Sequence, residues 1–468
     1  MTTSLHDTLS GGRHELDPLE PGHVRIYSCG PTVYGPAHVG NFRSFLFADV
    51  LVRHLRHLGL RVTWVMNITD VDDRLIANAN AAGETIGVLA DRWLERFKAD
   101  FAALRMTPPD VLPRATEHIE PMVAIIATLL EKDHAYRTED GSIFYRISSW
   151  PAYGRLARLD PEQLKVGERV EADDYGKDDV RDFALWKGPK AGEPSWDTAI
   201  GPGRPGWHIE CSAMSMRHLG ESFDIHTGGV DLVFPHHEDE IAQSEAATGK
   251  PFVRTWLHCA HLRLDGAKMA KRIGNVSRVA DLLDARVSAR ALRYALISVH
   301  YRQGLDFSDA SLDAAGAAID RLDAGLAALA GYREDRADDP SLVALLDAAR
   351  ERFDAALDDD LNVSAGLAAV FDLVREANRR IADRSISTAD AGRIAAVLRN
   401  LDTVIGVLPE EAASLPAGAT DLLAGREAAR ARRDWAESDR LRGALLQLGV
   451  AVEDTRDGQR WRLAEPVR

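Results

Sequence analysis

The chain is poor in cysteine, in lysine and in long apolar runs. Three cysteines, Cys29, Cys211 and Cys259, among 468 residues are too few for a disulfide framework, which leaves reduced core thiols, a nucleophile or metal ligands. No stretch approaches the roughly 18 unbroken apolar residues of a membrane span. The opening residues, MTTSLHDTLSGGRHELDP, lack the basic-then-apolar order of a secretory signal, so a cytoplasmic protein without a membrane partner is expected. Lys plus Arg number 57 against 72 Asp plus Glu, a formal charge of -15, which argues against indiscriminate binding to nucleic acid. A nucleic-acid partner therefore requires a local basic face. What remains is an ordinary globular composition, 45% hydrophobic and 28% charged, on a chain long enough for about two to four domains.

From Val24 to Ile68 the pattern reads strand, loop, helix, strand. Phe42, Phe45, Leu46, Val50, Leu51, Leu55 and Leu58 recur at helical spacing, with Gly59 as a left-handed stop. Such a βαβ unit implies a doubly wound parallel sheet whose ligands sit at the carboxyl ends of its strands, where Cys29 and Thr69 fall. Between about Pro113 and Pro205 the rhythm lapses into a helix (Glu117 to Lys132), a hairpin around Asp140-Gly141, and Pro-, Gly- and charge-rich sequence, the mark of an insertion. Alternation resumes with a helical segment Trp207 to Leu219, the strand FDIHTGG, a helix beginning near His236, and a turn at Asp265-Gly266. Asp309 to Leu408 has helical periodicity throughout, a Pro/Gly/Ala/Ser linker spans Pro409 to Thr420, and the tail holds Arg-rich helices and a hairpin at Asp457-Gly458.

Three groups of residues carry chemistry. His38-Val39-Gly40-Asn41 opens the first helix, where free N–H groups and the dipole favour phosphate; His38 either stabilises transferring charge or simply caps the helix. Lys268-Met269-Ala270-Lys271-Arg272 is either a solvated basic loop or a triphosphate clamp. Only nine lysines occur in the chain and none follows Lys271, so two lysines three apart are not background. Cys29, Cys211, His236 and Glu240 form a candidate metal set, because His236 and Glu240, at i and i+4, leave one face of a helix, and two thiolates, an imidazole and a carboxylate are zinc ligands. The alternative makes the thiols core residues and the His/Glu pair a hydrated helix start. His237 and Glu238 compete as ligands but are expected on the solvent side, and Cys259, beside His258 and His261, is expected to be a buried thiol.

Together, SCGPTVYGPAHVGNFR, NITDVDDRL, GRPGWHIECSAM, FDIHTGGVDLVFPHHEDEIAQSEAATGKPF, DGAKMAKRIGN and HYRQGLDFS resemble the cysteinyl-tRNA synthetases, a family of class I aminoacyl-tRNA synthetases, over nearly the whole chain. The resemblance implies a split Rossmann-like α/β nucleotide-binding domain with an insertion, then an α-helical bundle and a small C-terminal mixed α/β domain. The expected divisions are 1–112 and 206–262 for the two catalytic halves, 113–205 for the insertion, and 263–308 for the lysine-signature and stem-contact region. The bundle takes 309–408 and the terminal anticodon domain 421–468. It further implies one zinc ion on Cys29, Cys211, His236 and Glu240, ATP with Mg2+ held by His38, Asn41 and Lys271, and catalytic roles for those three and Lys268. Thr69, Trp207 and Asp231 would line the cysteine site, Asp231 taking either the amino group or the ATP ribose. Ala270 and Arg272 replace the two serines of the family's lysine signature, which removes loop hydroxyls and adds a guanidinium that can bind phosphate.

The implied reaction is adenylation of L-cysteine and transfer to the 3' end of tRNA-Cys, by a probably monomeric enzyme. Zinc would provide selectivity, since sulfur for oxygen is too small a difference for pocket shape to reject serine reliably. In the tail, Arg426, Arg430, Arg432, Arg433, Arg440 and Arg442 surround Trp435, and helical spacing is expected to put Arg426, Arg430 and Arg433 on one tRNA-facing side. The alternative is a solvated helix paired with Glu427, Asp434, Glu437 and Asp439. The nearest rival activity is a ligase that passes activated cysteine to a small amine, and a rival from another class is a zinc-stabilised RNA-binding protein without catalysis.

Overall fold

The computed structural model describes residues 3–159, 181–264, 267–268, 277–285, 287–410, 416, 418–455 and 458–463. The chain divides into two compact units, Met1–Val407 and Leu408–Arg468.

The first unit is built on a four-stranded parallel sheet: β1 (His23–Ser28), β2 (Arg61–Met66), β3 (Phe223–Gly229) and β4 (Val253–Cys259), in the spatial order β4-β3-β1-β2. The strands are almost wholly buried, as expected of a parallel sheet covered on both faces. Helix α1 (Val39–His57) makes the crossover from β1 to β2. The chain then returns on the other side of β1 as β3, so the strand order reverses between β1 and β3. That switch point opens a crevice at the carboxyl ends of both strands.

Helix α1 has the expected apolar face, with Phe42, Phe45, Leu46, Val50, Leu51 and Leu55 buried and Gly59 in the left-handed region at φ +82. Leu58 departs from expectation: it is the C-terminal cap and lies partly exposed, because the helical face ends one turn before it. Polar groups also enter this core. Arg293 is fully buried and joins α1 to two other segments, donating to Asp49 Oδ2 (2.7 Å), to the Leu104 carbonyl (2.9 Å) and to the Ile405 carbonyl (2.6 Å). The helix is thereby fixed at mid-length by charge as well as by packing.

The segment between β2 and β3 carries helix Ile119–Glu131 and an antiparallel sheet ordered Ala135–Arg137, Ile143–Tyr145, Phe183–Lys187, Arg204–Pro205. The helix starts two residues later than its periodicity suggested, after a 3-10 turn at Ala115–Glu117, and the hairpin turns at Gly141 with φ +86. Helices α2 (Trp207–Leu219) and α3 (Glu238–Thr248) follow in the returning half. Beyond β4, Leu262–Leu264 pairs antiparallel with Ala267–Lys268 and parallel with Leu305–Phe307. The Asp265-Gly266 turn itself lies outside the described residues.

Four helices, Asp309–Gly331, Leu342–Asp358, Val363–Ala382 and Thr388–Ile405, form the expected bundle. Ser308 and Ser387 each make reciprocal capping boxes, and Gly406 ends the last helix at φ +71. Leu322, Leu342, Phe353 and Leu401 are fully enclosed, each contributing about 1.5–3 kcal/mol of burial. The second unit packs helices Ala419–Ala431 and Trp435–Gln447 on a hairpin, Val450–Thr455 with Gly458–Leu463. Its core is small: Ala419, Leu423, Leu445 and Val450. Among the described residues no helix is long and apolar enough to cross a membrane.

Candidate active site

The floor of the crevice is pinned where β1 meets β3. Ser28 and Thr227 share a hydroxyl contact of 2.7 Å, and Cys29 N–H donates to the Thr227 carbonyl at 3.1 Å. Gly30 comes next because nothing larger fits: a Cβ there would stand 1.8 Å from the Asn67 carbonyl oxygen. Cys29 thus leaves the sheet at a fixed height. Cys211 reaches it from α2, and His236 and Glu240 from a π-helical turn, Val233–His237, that runs into α3.

The four expected donors converge, with one ligand atom from each inside a 4.8 Å span. The two sulfurs are 3.9 Å apart, Cys29 Sγ is 3.9 Å from Glu240 Oε1, and His236 Nε2 is 3.0 Å from the same oxygen. Their charges are interdependent. The Cys29 thiol hydrogen-bonds the Cys211 sulfur and brings Cys211 down to about 6, while burial drives Cys29 itself well up. Burial opposes the charge on His236, but Cys211 and Glu240 outweigh it and raise the imidazole to about 10. Burial likewise opposes ionisation of Glu240, yet the His226 and His236 imidazoles hold it at about 2. Two anions and a cation packed without water form a donor set that a soft divalent ion would satisfy.

His237 and Glu238 correct the sequence reading, because both are buried rather than turned to solvent. The start of α3 has no solvent side: it lies among the sheet, α2 and the insertion. Glu238 accepts N–H bonds from Gly154 (2.8 Å), Leu156 (2.9 Å) and Ala157 (2.9 Å) of the insertion. His237 Nε2 lies 3.3 Å from Cys29 Sγ, and a second donor set, Cys29, His226, His237 and Glu240, is equally compact. The two sets differ in access. His237 is sealed in, its Nδ1 2.8 Å from His258 Nε2, and burial lowers it well below the usual histidine range. His236 lies under Trp207, which is 38% exposed, so the first set alone has an approach from outside.

Sequence reasoning missed His208 and His226. His208 Nδ1 is 2.9 Å from His236 Nδ1, and His226 Nε2 is 3.1 Å from Glu240 Oε2, so each orients a donor. A signal existed: His208 precedes Cys211 by one helical turn, and His226 interrupts an apolar strand. Cys259 is a buried thiol pushed up to about 11 by burial, as expected.

In the nucleotide half, both readings of His38 meet. His38 Nδ1 accepts from Asn41 N–H (3.2 Å) and Asn41 Oδ1 from His38 N–H (3.1 Å), a capping box at the N-terminus of α1. The next residue, Val39, donates to the Ser277 carbonyl at 3.0 Å, so the chain beyond the lysine segment returns to this helix end. Lys268 is placed by its backbone in the strand Ala267–Lys268; Ala270, Lys271 and Arg272 lie outside the described residues. Thr69 is buried beside Pro31 and Val33, its hydroxyl receiving Asn67 Nδ2 at 3.2 Å. Asp231 stands just past β3, exposed, 3.8 Å from His261 Nδ1. These groups rim the crevice without touching the four donors.

Comparison with known proteins agrees with this geometry. Residues 15–317 match the family described as tRNA synthetases class I (C) catalytic domain, 352–409 the DALR domain, and 412–462 the cysteinyl-tRNA ligase anticodon binding domain. The cysteine--tRNA ligase of Symbiobacterium thermophilum is 46% identical over 474 residues, taking in 99% of this chain and 100% of that protein. The chain belongs to the cysteine--tRNA ligase family. The cysteine--tRNA ligase of Azotobacter vinelandii is 45% identical over 475 residues, with 99% of this ligase and 100% of that protein covered. In fold, the ligase is similar to Mycobacterium tuberculosis methionyl-tRNA synthetase bound by methionyl-adenylate, at TM-score 0.59 and 17% identity over 86% of this chain and 94% of that one. It is a ligase of the class I aminoacyl-tRNA synthetase fold.

Within the ligase's second unit the expected arginine face does not form. Arg426 is 1% exposed, its guanidinium bidentate on Asp454 at 2.9 Å, so it is a core residue. Arg430 also bonds Asp454, at 2.8 Å, and stands 5.6 Å from the centre of the Trp435 ring. The helix ends at Ala431, and Arg433 follows in a left-handed turn at φ +59, off the face assigned to it. Helical spacing failed here because the acidic partner lies on the hairpin, outside the helical pattern.

Proposed function

We propose that this ligase activates L-cysteine with ATP and passes it to the 3' end of tRNA-Cys, in the cytoplasm and as a monomer, with one zinc ion on Cys29, Cys211, His236 and Glu240. The observation that carries the reading is the convergence of those four donors beneath Trp207 at the switch point of the sheet. Zinc there supplies a soft Lewis acid that prefers a thiol sulfur to an alcohol oxygen, which separates cysteine from serine.

The chain's own residues bind and orient. Trp207 and Thr69 flank the amino acid, and Asp231 takes its ammonium group or the ribose of ATP. The cysteine carboxylate attacks the α-phosphate; a carboxyl oxygen–phosphorus bond forms as the bond to pyrophosphate breaks. His38 and Asn41 at the start of α1, with Lys268 and Lys271, carry the phosphate charge, and Mg2+ accompanies ATP. A terminal ribose hydroxyl of the tRNA then takes the acyl group and AMP leaves. Catalysis is positioning and electrostatics without a protein nucleophile.

The test is charging of purified tRNA-Cys with labelled cysteine, using zinc-loaded and chelator-stripped protein beside a glucosaminyl-inositol acceptor. Zinc-dependent charging of tRNA alone is the expected result. Transfer only to the amine would overturn the acceptor, and undiminished cysteine binding after zinc removal would overturn the metal's role.

A further inference from the structure

Tyr27 lies two residues before Cys29 on β1, so the pleat turns both side chains to one face of the sheet. The ring is fully buried, edge-on to the His226 imidazole at 5.1 Å. Its hydroxyl, enclosed, makes no bond of normal geometry to any described residue. The groups it faces are the donors themselves: Cys211 first, then Cys29 and Glu240. Burial and these negative neighbours keep the phenol protonated, hence able to donate. A buried hydroxyl with no partner destabilises a fold, and phenylalanine would fill the same space without that penalty.

The two sulfurs differ in their surroundings. His237 Nε2 lies beside Cys29 at 3.3 Å, and the contacts His237 Nδ1 to His258 Nε2 (2.8 Å) and His258 Nδ1 to Thr8 Oγ1 (2.7 Å) form a relay. With the Thr8 hydroxyl donating inward and both imidazoles neutral, the remaining proton of His237 points at Cys29. Cys211 has only His236 beside it. Once the His236 nitrogen turns its lone pair to an ion, that support ends.

We propose that the Tyr27 hydroxyl is the outer-sphere donor to the Cys211 sulfur in the metal-loaded ligase, the counterpart of His237 on Cys29, and that it sets how much electron density this thiolate gives the ion. The proposal rests on the zinc reading above. Tyr27 is on this account a positioning residue, acting through Cys211.

Tyr27→Phe removes the hydroxyl and keeps the ring. Full-length wild-type and variant proteins are loaded with zinc and titrated against a chelator, then loaded with cobalt to record the thiolate-to-metal charge-transfer band. The variant is expected to lose zinc affinity by about 10- to 100-fold. Its cobalt band should move to lower energy, because a sulfur without a donor is more electron-rich, while the metal-free thermal midpoint stays or rises. Equal affinities and superimposable bands would overturn the proposal and leave the zinc reading intact. Failure of the wild type to take up either metal would overturn the zinc reading, and this inference with it.

Discussion

The indole of Trp207 lies on the imidazole of His236, with ring centroids 4.2 Å apart and planes 22° from parallel. One side chain thereby forms the exposed wall of the crevice and the backing of a candidate metal donor. Trp207→Ala should raise KM for cysteine about tenfold, on the scale of a lost aromatic stack and its buried area, with a smaller change in kcat. Trp207→Phe should recover most of it. Cysteine-dependent ATP–pyrophosphate exchange measures both parameters, and an unchanged KM in the alanine variant would remove Trp207 from the cysteine site.

Gly30 has no room for a methyl group, since its Cβ would meet backbone rather than a movable side chain. Gly30→Ala must shift the Cys29 loop. We expect a stability loss of about 1–3 kcal/mol and less than stoichiometric zinc in the purified protein. Denaturant titration and metal analysis check the two independently.

Asp358 ties the bundle to the last turn of α1, accepting from Thr3 Oγ1 at 2.8 Å and lying 2.9 Å from His54 Nε2. Burial raises this carboxyl, but the two hydrogen bonds outweigh it and leave it below the ordinary value of 3.8. A carboxyl lowered in the folded state adds stability that is fully present above its unfolded value and is lost as pH falls through the folded one. Asp358→Asn should therefore cost about 1–3 kcal/mol at neutral pH, a difference that shrinks below about pH 4. Urea unfolding of both proteins across that range is the measurement, and a gap that persisted at low pH would refute the assignment.

Arg426 and Trp435 separate folding from recognition in the second unit. Arg426→Ala should destabilise that unit, moderately because Asp454 keeps some solvent contact. Trp435 is 57% exposed with Arg430 against it, a surface on which a base can stack. Trp435→Ala should weaken tRNA binding by about 1–3 kcal/mol and leave ATP–pyrophosphate exchange unchanged. Filter binding at two salt concentrations, beside exchange assays, distinguishes these effects.

The sequence was most legible where one element carries its own signal. The face of α1, the alternation around β1 and β2, and the i, i+4 pair His236/Glu240 depend on residues a few positions apart. It was least legible where partners come from afar. Glu238 looked solvent-facing because nothing nearby in sequence reveals the three N–H groups of the insertion that enclose it. Arg426 looked like a phosphate ligand because Asp454 sits on another element. Tyr27 and His226 read as ordinary strand residues, since burial beside sulfur leaves no mark on periodicity. The His38–Asn41 box shows a different limit: two roles proposed as alternatives occupy the same residues, and a helix cap is also what presents N–H groups to phosphate.

The donors have unequal origins along the chain. Cys29 alone comes from the first half of the split fold; Cys211, His236 and Glu240 arrive only after the insertion has been threaded. During synthesis, the segment that begins the nucleotide site leaves the ribosome with one quarter of the thiol-sensing set and waits for the rest. A chain stalled or clipped before α3 would hold a phosphate-binding helix without the means to tell one amino acid from another. Because the same junction completes both halves of the crevice, such a chain would be inert instead of error-prone.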